Sequence, residues 1–559
     1  MRRRELLTGL GASAFTFARS AHAANMQNAP GADLSAIVAI NGRKFEFHAT
    51  AGQDLGDFRG QSFIQRCIRV TRPDTPLTVF FRPDRTSDRV EVVFELGRIW
   101  GAANRAALHI GAYRALIKRG DRVLAAVDVP QHWWFSRWRW QSSPRPVIRT
   151  PGELIDAKLI MPYSREIARI AGPLDTSNIV YRGPMDGAGI MPDMGSTGER
   201  PEIGPTTEYQ AAYIMSEDEG ALSASLAQAE AAGSVPVHIR DENTGAPIDF
   251  LRYPKASWYW LPQGSVWIKT KADTQALQCP WRPDDAHDPA LSYVPYLLTG
   301  DPYFLEELQF QGNQVLGWTN YHRGPGLQIV DPGQTRGEAW SLRSLFQLAR
   351  ISPDNPPRWL LPRGYWKQVL DDNRRYFTRT YIDQTCRAST VFHAATRLNA
   401  VAGWQEDFLA CMFGWAVLMG FEEWRAAYLW KLQATLARSN GKTGWPRQYC
   451  SPYYYTIADN LSDPMTNPAE VPPSVWFKDW AEAWHVFKSN KNNNVKEPFS
   501  DDVSWQQGDA APDYLIYTRG TLALASALGI READEPHQFV NGMAIRRNYM
   551  TYRWAIGRA

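Results

Sequence analysis

The chain has 559 residues, of which 61 are Lys or Arg and 58 are Asp or Glu, so its formal charge is close to neutral. This balance gives no support to a nucleic-acid partner or to binding on an anionic membrane by charge. The length exceeds the roughly 250–300 residues at which single hydrophobic cores stop growing, so we expect two or three domains.

The first 23 residues are typical of an export signal. Three arginines at positions 2–4 precede Leu6 and Leu7, a mildly apolar stretch follows, and residues 21–23 read Ala-His-Ala. A basic start, a short apolar run and an A-x-A motif in this order predict a cleaved signal peptide over residues 1–23. The consecutive arginines followed by x-Leu-Leu resemble a twin-arginine signal, which is an address for folded proteins. We therefore expect a periplasmic or secreted bacterial protein.

The mature chain is expected to be soluble and to need no metal or cofactor. Residues 1–23 hold four Arg and one Glu, which leaves 57 residues of each sign. No later stretch approaches the ~18 uncharged apolar residues of a membrane span. The five cysteines lack C-x-x-C spacing, so we expect mostly buried thiols. There is no P-loop, no H-E-x-x-H and no G-x-S-x-G sequence. The oligomeric state stays open.

Residues 34–160 are predicted to form an antiparallel β-sandwich. Short β-branched and aromatic runs at 36–40, 77–81 and 89–94 are bounded by Gly, Pro and Asp. A hairpin is expected between 115–118 and 123–127. The last strands, over 132–140, are rich in Trp and Arg on both faces. That composition predicts either a strand buried between layers or at a domain seam, or a ligand-binding platform.

Residues 161–205 are predicted to be a linker or a functional loop. Gly, Pro, Asp and Met dominate the second half of this segment, from about residue 182 onward. Such a composition is typical of chain without regular secondary structure. Loops of this length are usually either functional or disordered.

Residues 206–559 are predicted to be helical hairpins. The stretch GPTTEYQAAYIMSEDEGAL from Gly204 is echoed 83 residues later by HDPALSYVPYLLTGDPYFL from His287, with Tyr213 falling on Tyr296. Repetition of this kind indicates stacked supersecondary units. First helices are predicted near 206–215, 289–298, 337–351, 404–419, 474–488 and 512–529, and second helices near 219–233, 303–318, 361–379 and 421–438. Five or six hairpins would close into a ring.

Polar and aromatic residues are concentrated where these first helices begin. If the turns that join the two helices of each hairpin mark one end of the ring, the N-termini of the first helices meet at the other end. The free N–H groups at these N-termini are electropositive. The candidates at this rim are Glu208, Tyr209, His287, Asp288, Tyr293, Arg336, Glu338, Trp340, Trp404, Gln405, Asp407, Tyr453 and Arg519. For each acid taken alone, stabilisation of the helix dipole by ~0.3–1 kcal/mol is an alternative. Another histidine, His485, is expected in a core or seam.

A β-sandwich followed by helical hairpins, with acids and aromatics at the helix starts, resembles the (α/α)-toroid carbohydrate-active enzymes. These include six-hairpin glycosidases and toroid polysaccharide lyases. The resemblance implies a glycan substrate and, in a glycoside hydrolase, catalytic carboxylates drawn from Glu338, Asp407 and Asp288, with the other rim residues binding substrate. In a lyase acting on a uronic-acid polymer, His287, Tyr293, Arg336 and a tyrosine such as Tyr453 would act instead. A non-catalytic glycan-binding or envelope scaffold protein is the third possibility.

Overall fold

A computed structural model of the chain describes residues 31, 33–97, 109–192, 200–241, 243–254, 280–281, 285–319, 335–383, 400–458, 476–493, 495, 514–546 and 550–557. The predicted signal peptide, Cys279 and Cys386 lie outside these residues. The described part begins with an antiparallel β region of two main sheets and continues into a helical region. Its other three cysteines, Cys67, Cys411 and Cys450, are buried free thiols.

The β region spans residues 34–141. Its strands are β1 (Leu34–Ile40), β2 (Arg43–His48), β3 (Gln53–Arg59), β4 (Ile64–Arg72), β5 (Thr75–Pro83), β6 (Val90–Leu96), β7 (His109–Ile110), β8 (Tyr113–Arg119), β9 (Arg122–Val129), β10 (His132–Trp133) and β11 (Ser136–Gln141). One sheet has the order β2-β1-β8-β9, another has the order β11-β6-β5-β4-β3, and β7 pairs with β10. The predicted hairpin is confirmed as β8 and β9. Gly120 turns between them with φ +54°.

The helical region contains, within the described residues, α1 (Pro151–Asp156), α2 (Arg165–Ala171), α3 (Glu208–Ser216), α4 (Glu219–Ala231), α5 (Tyr293–Thr299), α6 (Pro302–Thr319), α7 (Thr335–Ile351), α8 (Arg363–Phe377), α9 (Gly403–Leu418), α10 (Arg425–Ser439), α11 (Trp480–Ser489), α12 (Leu515–Ala527) and α13 (Asp534–Arg546). The sequence did not predict α1, α2 or α13. None of these helices has both the length and the apolar character needed to cross a bilayer.

The repeated hairpin is confirmed at both predicted positions. In the first copy α3 ends at Ser216 and α4 begins at Glu219, and in the second α5 ends at Thr299 and α6 begins at Pro302. Each first helix is followed by a left-handed residue, Glu217 with φ +57° and Gly300 with φ +65°. A left-handed residue at this point satisfies the last carbonyl groups and reverses the chain sharply.

The first helices of successive hairpins contact one another. Contacts join α7 to α9 and α9 to α12. A short turn at the C-terminal end, Tyr552–Trp554, contacts both α3 and α12. The amide of Gln210 in α3 donates hydrogen bonds to the carbonyl oxygens of Ala290 and Leu291, just before α5. The C-terminal turn therefore lies between the first and the last of the described hairpins.

The arginine-rich strand β11 is buried against the helices. This favours the prediction of a strand at a domain seam and not that of a ligand-binding platform. Arg137 and Arg139 place their guanidinium carbons 4.4 and 4.1 Å from the ring centroid of Tyr303 in α6. Arg137 pairs with Glu306 and Glu307, which also lie in α6. The opposite face of β11 is apolar, and Trp138 stacks on Phe94 at 4.3 Å.

Ion pairs extend from β11 into one connected group, which we call the seam network. Its cations are Arg82, Arg89, Arg137, Arg139, Arg145 and Arg240, its acids are Asp84, Glu91, Glu95, Glu230, Asp301, Glu306 and Glu307, and His238 contacts Glu307. Buried charges of this kind are tolerated only when paired and hydrogen-bonded. The seam network therefore couples the folding of the β region to that of the helices.

Acid is expected to weaken this seam. Burial alone would raise the pKa values of Asp301 and Glu307, but neighbouring arginines, and His238 in the case of Glu307, hold both pKa values at about 2. In the unfolded chain these carboxyl groups titrate near 3.9 and 4.3. Their contribution to the free energy of unfolding is therefore present above about pH 4 and is lost as the pH falls towards 2. It amounts to about 1.4 kcal/mol for each unit by which the folded and unfolded pKa values differ.

Denaturant unfolding at successive pH values from neutral to acid measures this loss. Glu307→Gln should show a shallower decline than the wild type, because one of the titrating groups is missing. Identical slopes for the two proteins would contradict the assignment.

Candidate functional site

Three helices begin at the same edge of the helical region. The backbone N–H of Arg336, at the start of α7, donates to the side-chain oxygen of Gln405, at the start of α9, at 3.0 Å. One turn further on, the rings of Trp340 and Phe408 lie 4.8 Å apart, so the two helices run side by side in the same direction. The ring of Trp404 lies 5.4 Å from that of Tyr514, which precedes α12. The predicted convergence of helix starts is therefore present for α7, α9 and α12.

A short β-ladder brings Tyr453 to this edge. Strand β12 (Ala400–Val401) leads directly into α9 and pairs with β13 (Tyr455–Thr456), which anchors the preceding loop beside the helix start. The ring of Tyr453 then stacks on that of Trp404, with centroids 5.9 Å apart and planes 29° apart. Its centroid is also 5.5 Å from that of Tyr514.

We call Arg336, Trp404, Tyr453 and Tyr514 the rim cluster. Arg336, Tyr453 and Tyr514 are half-buried, whereas Trp404 is 7% exposed. The guanidinium carbon of Arg336 lies 5.5 Å from the ring centroid of Trp404. Burial raises the pKa of the Tyr453 phenol, with a smaller opposing effect from the charge of Arg336. The cluster combines flat apolar ring faces, a phenol that stays protonated at neutral pH and a cation.

Beneath the rim cluster the site is closed by packed aromatic rings. Trp554, from the C-terminal turn, stacks on Phe408 at 5.2 Å and meets the edge of Tyr517 at 5.0 Å. Trp340, which was predicted to bind substrate, is 1% exposed and packs 6.4 Å from Trp554. Trp340 therefore belongs to this floor and not to the open surface.

Asp407, predicted as a catalytic carboxylate, lies in the interior. It is fully buried, and its Oδ1 accepts hydrogen bonds from Thr435 and Arg438, both at 2.7 Å. Its Oδ2 accepts from Thr518 at 2.5 Å. Both carboxylate oxygens are thus engaged with α10 and α12. Arg438 in turn donates to the carbonyl oxygen of Cys450, in the loop that carries Tyr453. Asp407 thus holds Arg438 in place, and Arg438 in turn binds the loop that carries Tyr453 of the rim cluster.

Asp288 is also buried and contacts a different helix. Its Oδ2 accepts from Ser344 at 3.0 Å and from Arg343 at 3.3 Å, both in α7. Asp288 also lines a cavity of about 10 Å³ with Gln311 and Gln314, which is room for about one water molecule. Asp288 and Asp407 therefore do not face each other across a groove.

Three of the other predicted residues, Glu208, Tyr293 and Arg519, have structural contacts, and two more are buried. Glu208 accepts hydrogen bonds from the backbone N–H groups of Tyr552 and Arg553 and from the Arg553 side chain, so it anchors the C-terminal turn. Tyr293 is fully buried and donates to the carbonyl oxygen of Leu159. Arg519 donates to Asn541 and to the carbonyl oxygen of Trp554. Tyr209 and His287 are buried, with exposures of 6% and 4%.

Two buried glutamates lie in the first turns of α7 and α9, the helices that carry Arg336 and Trp404 of the rim cluster. Glu338 lies in the first turn of α7 and is fully buried. Glu406, in the first turn of α9, forms an ion pair with Lys431 in α10, and both side chains are buried. Glu338 is thus a predicted catalytic carboxylate that lies buried at the start of a helix.

The tyrosines at 453–455 divide between two environments. Tyr453 and Tyr454 are half-buried, whereas Tyr455 is buried in a second hydrophobic core with Trp445 and Trp480. His485 in α11 is exposed, so its expected core position is wrong. Tyr514 was missed as a site residue, although an aromatic residue at a predicted helix start was a usable signal.

No group of three or more His, Cys, Asp or Glu residues suited to a metal ion occurs in the part of the chain that the structure describes. No family model, no curated protein and no solved structure matches the chain.

Proposed function

We propose that the protein is an exported carbohydrate-active enzyme whose glycan lies on the rim cluster. The observation that carries the proposal is the assembly of Arg336 with three aromatic rings at the starts of three helices. Aromatic faces pack against the C–H faces of sugars, and helix N-termini favour anionic groups. The predicted signal peptide over residues 1–23 is the basis for proposing periplasmic or secreted localisation.

For the architecture we propose a β-sandwich joined to an (α/α) toroid. The contacts of the C-terminal turn with both α3 and α12 support closure, because they link the first described hairpin to the last. In such a ring the loops before the first helices share one mouth, and the rim cluster would stand at that mouth.

The chemistry that the rim cluster supports best is β-elimination on a uronic-acid glycan. Arg336 would neutralise the uronate carboxylate, which makes the adjacent C–H acidic enough to lose its proton to a solvent water molecule at the half-buried rim cluster, and solvent would later return a proton to Tyr453. The Tyr453 phenol, kept protonated by its raised pKa, would donate a proton to the departing glycosidic oxygen. Trp404 and Tyr514 would hold the sugar rings in place.

Glycoside hydrolysis is the second candidate, and the burial of Glu338 beside the rim cluster favours it. In glycoside hydrolases one carboxyl group acts as a general acid, and Glu338 would be the candidate for this role. Hydrolysis ranks second because the other two proposed carboxylates, Asp288 and Asp407, are engaged inside the protein.

The test is turnover of a panel of uronic-acid and neutral oligosaccharides. We expect cleavage with a new ultraviolet absorbance from an unsaturated uronide. Tyr453→Phe should lower the turnover number by about 10²–10⁴-fold. Tyr376→Phe, which changes a half-buried tyrosine on α8, should leave it unchanged.

Three other outcomes would redirect the proposal. Cleavage without the absorbance, abolished by Glu338→Gln and not by Tyr453→Phe, identifies a hydrolase. Binding without turnover identifies a glycan-binding protein. If Arg336→Ala and Trp404→Ala leave cleavage and binding unaltered, the site is elsewhere.

A further inference from the structure

His238 is the only imidazole in the seam network among the described residues, and both of its ring nitrogens face oxygen acceptors. Nδ1 lies 2.8 Å from the carbonyl oxygen of Phe135, just before β11. Nε2 lies 2.8 Å from Oε2 of Glu307 in α6. The side chain is fully buried, so no bulk water competes for either nitrogen. A ring rotated by 180° would set carbon atoms against both oxygens and lose both bonds.

Neither acceptor can supply a proton. A carbonyl oxygen only accepts hydrogen bonds, and a carboxylate donates only when it is protonated. Burial raises the pKa of Glu307, but Arg137 opposes this by its charge and by a hydrogen bond from its Nε to Oε1 of the same group, which keeps Glu307 a carboxylate. Both hydrogen bonds therefore need an N–H from the imidazole ring, which a neutral histidine cannot provide.

The charges of the seam network lead to the same conclusion. Six arginines face seven carboxylates, so one positive charge is missing if His238 is neutral. A protonated His238 balances the network. Uncompensated charge is costly in a buried setting, because the low local dielectric strengthens repulsion.

We infer that His238 is an imidazolium ion in the folded protein, and that its proton is part of the joint between the β region and the helices. Around it stand Glu306 and Glu307 from α6, Arg137 from β11, and the ring of Phe310 at 4.6 Å. His132 is also near, but burial lowers its pKa to about 3, so it is neutral. Loss of the proton would set a nitrogen lone pair against an oxygen and leave the seam negatively charged. The joint between the β region and the helices is therefore less stable at alkaline pH than at neutral pH.

The test is the pH dependence of unfolding for the wild type and His238→Gln. In the unfolded chain an imidazole loses its proton near pH 6.5. Above that pH, unfolding of the wild type releases one more proton than unfolding of the variant. The ratio of the wild-type to the variant unfolding constant should therefore rise by up to tenfold for each pH unit. His485→Gln, at an exposed histidine, should follow the wild-type curve.

A direct measurement covers the case in which His238→Gln does not fold. Nitrogen-15 spectra of histidine-labelled wild-type protein distinguish neutral from doubly protonated rings. At about pH 8, well above the titration of a free imidazole, we expect one ring to remain doubly protonated. A folded protein in which every imidazole is neutral at that pH would overturn the inference, and so would a ratio of unfolding constants that does not change with pH.

Discussion

Replacing Asp407 by alanine is expected to lower the free energy of unfolding by about 3–5 kcal/mol, as for other buried ion pairs that lose one partner. The substitution leaves the Arg438 guanidinium buried without its carboxylate and removes the acceptor of Thr435 and Thr518. The loop from Cys450 to Tyr453 should also loosen, because Arg438 holds it through the Cys450 carbonyl oxygen. Denaturant unfolding followed by circular dichroism measures the change in stability.

The matched control for this substitution is Asp371→Ala. Asp371 also pairs with arginines, Arg374 and Arg375, but its side chain is 41% exposed. Surface pairs contribute about 0–1 kcal/mol, so the control should remain close to wild type. A catalytic carboxylate at position 407 would behave differently, because its removal abolishes activity without a comparable loss of stability. An Asp407→Ala protein as stable as the wild type would contradict the interior assignment.

Replacing Glu306 by alanine is expected to have an effect of similar size, concentrated at the seam. Its carboxylate contacts Arg82 at 2.7 Å, Arg240 at 2.8 Å and Arg137. Without it, three buried guanidinium groups share fewer negative charges, at a cost of about 3–5 kcal/mol. The β region and the helices should then unfold in two separate steps, because the coupling between them is reduced.

Calorimetry resolves whether unfolding occurs in one step or two, and Glu422→Ala is the control. Glu422 pairs with Arg425 on the surface, where its side chain is 63% exposed, so its loss should cost under about 1 kcal/mol. A single transition for Glu306→Ala at the wild-type temperature would show that the seam network does not join the two regions.

Much of the helical order could be predicted from local sequence. The period of apolar residues and the acidic turns located both copies of the repeated hairpin. α9 was predicted within one residue at each end. It is buried on all sides over residues 403–417, and from Phe408 onward its residues are apolar around the whole helix. α13 was missed because its sequence, DEPHQFVNGMAIR, contains both Pro and Gly and has weak apolar periodicity. The predicted helix at 474–488 begins only at Trp480.

The site was harder to predict because its supporting contacts connect distant parts of the chain. The partners of Asp407 are 28, 31 and 111 residues away in sequence, so nothing near position 407 distinguishes an interior carboxylate from one on a rim. Trp554 and Arg553 contribute from the C-terminal end of the chain, and the ion pair between Glu208 and Arg553 spans 345 positions. Arg336, Trp404 and Gln405 lie together as predicted because helix starts can be located from local sequence, whereas Tyr453 reaches the same edge through a loop.

The most direct test of the glycan site is a crystal structure of the Tyr453→Phe protein with a uronic-acid oligosaccharide. In this protein turnover is slowed while Arg336, Trp404 and Tyr514 remain in place. We predict sugar rings packed on Trp404 and Tyr514, with a carboxylate within hydrogen-bonding distance of Arg336. An oligosaccharide bound on another surface, with the rim cluster empty at saturating concentration, would contradict the account.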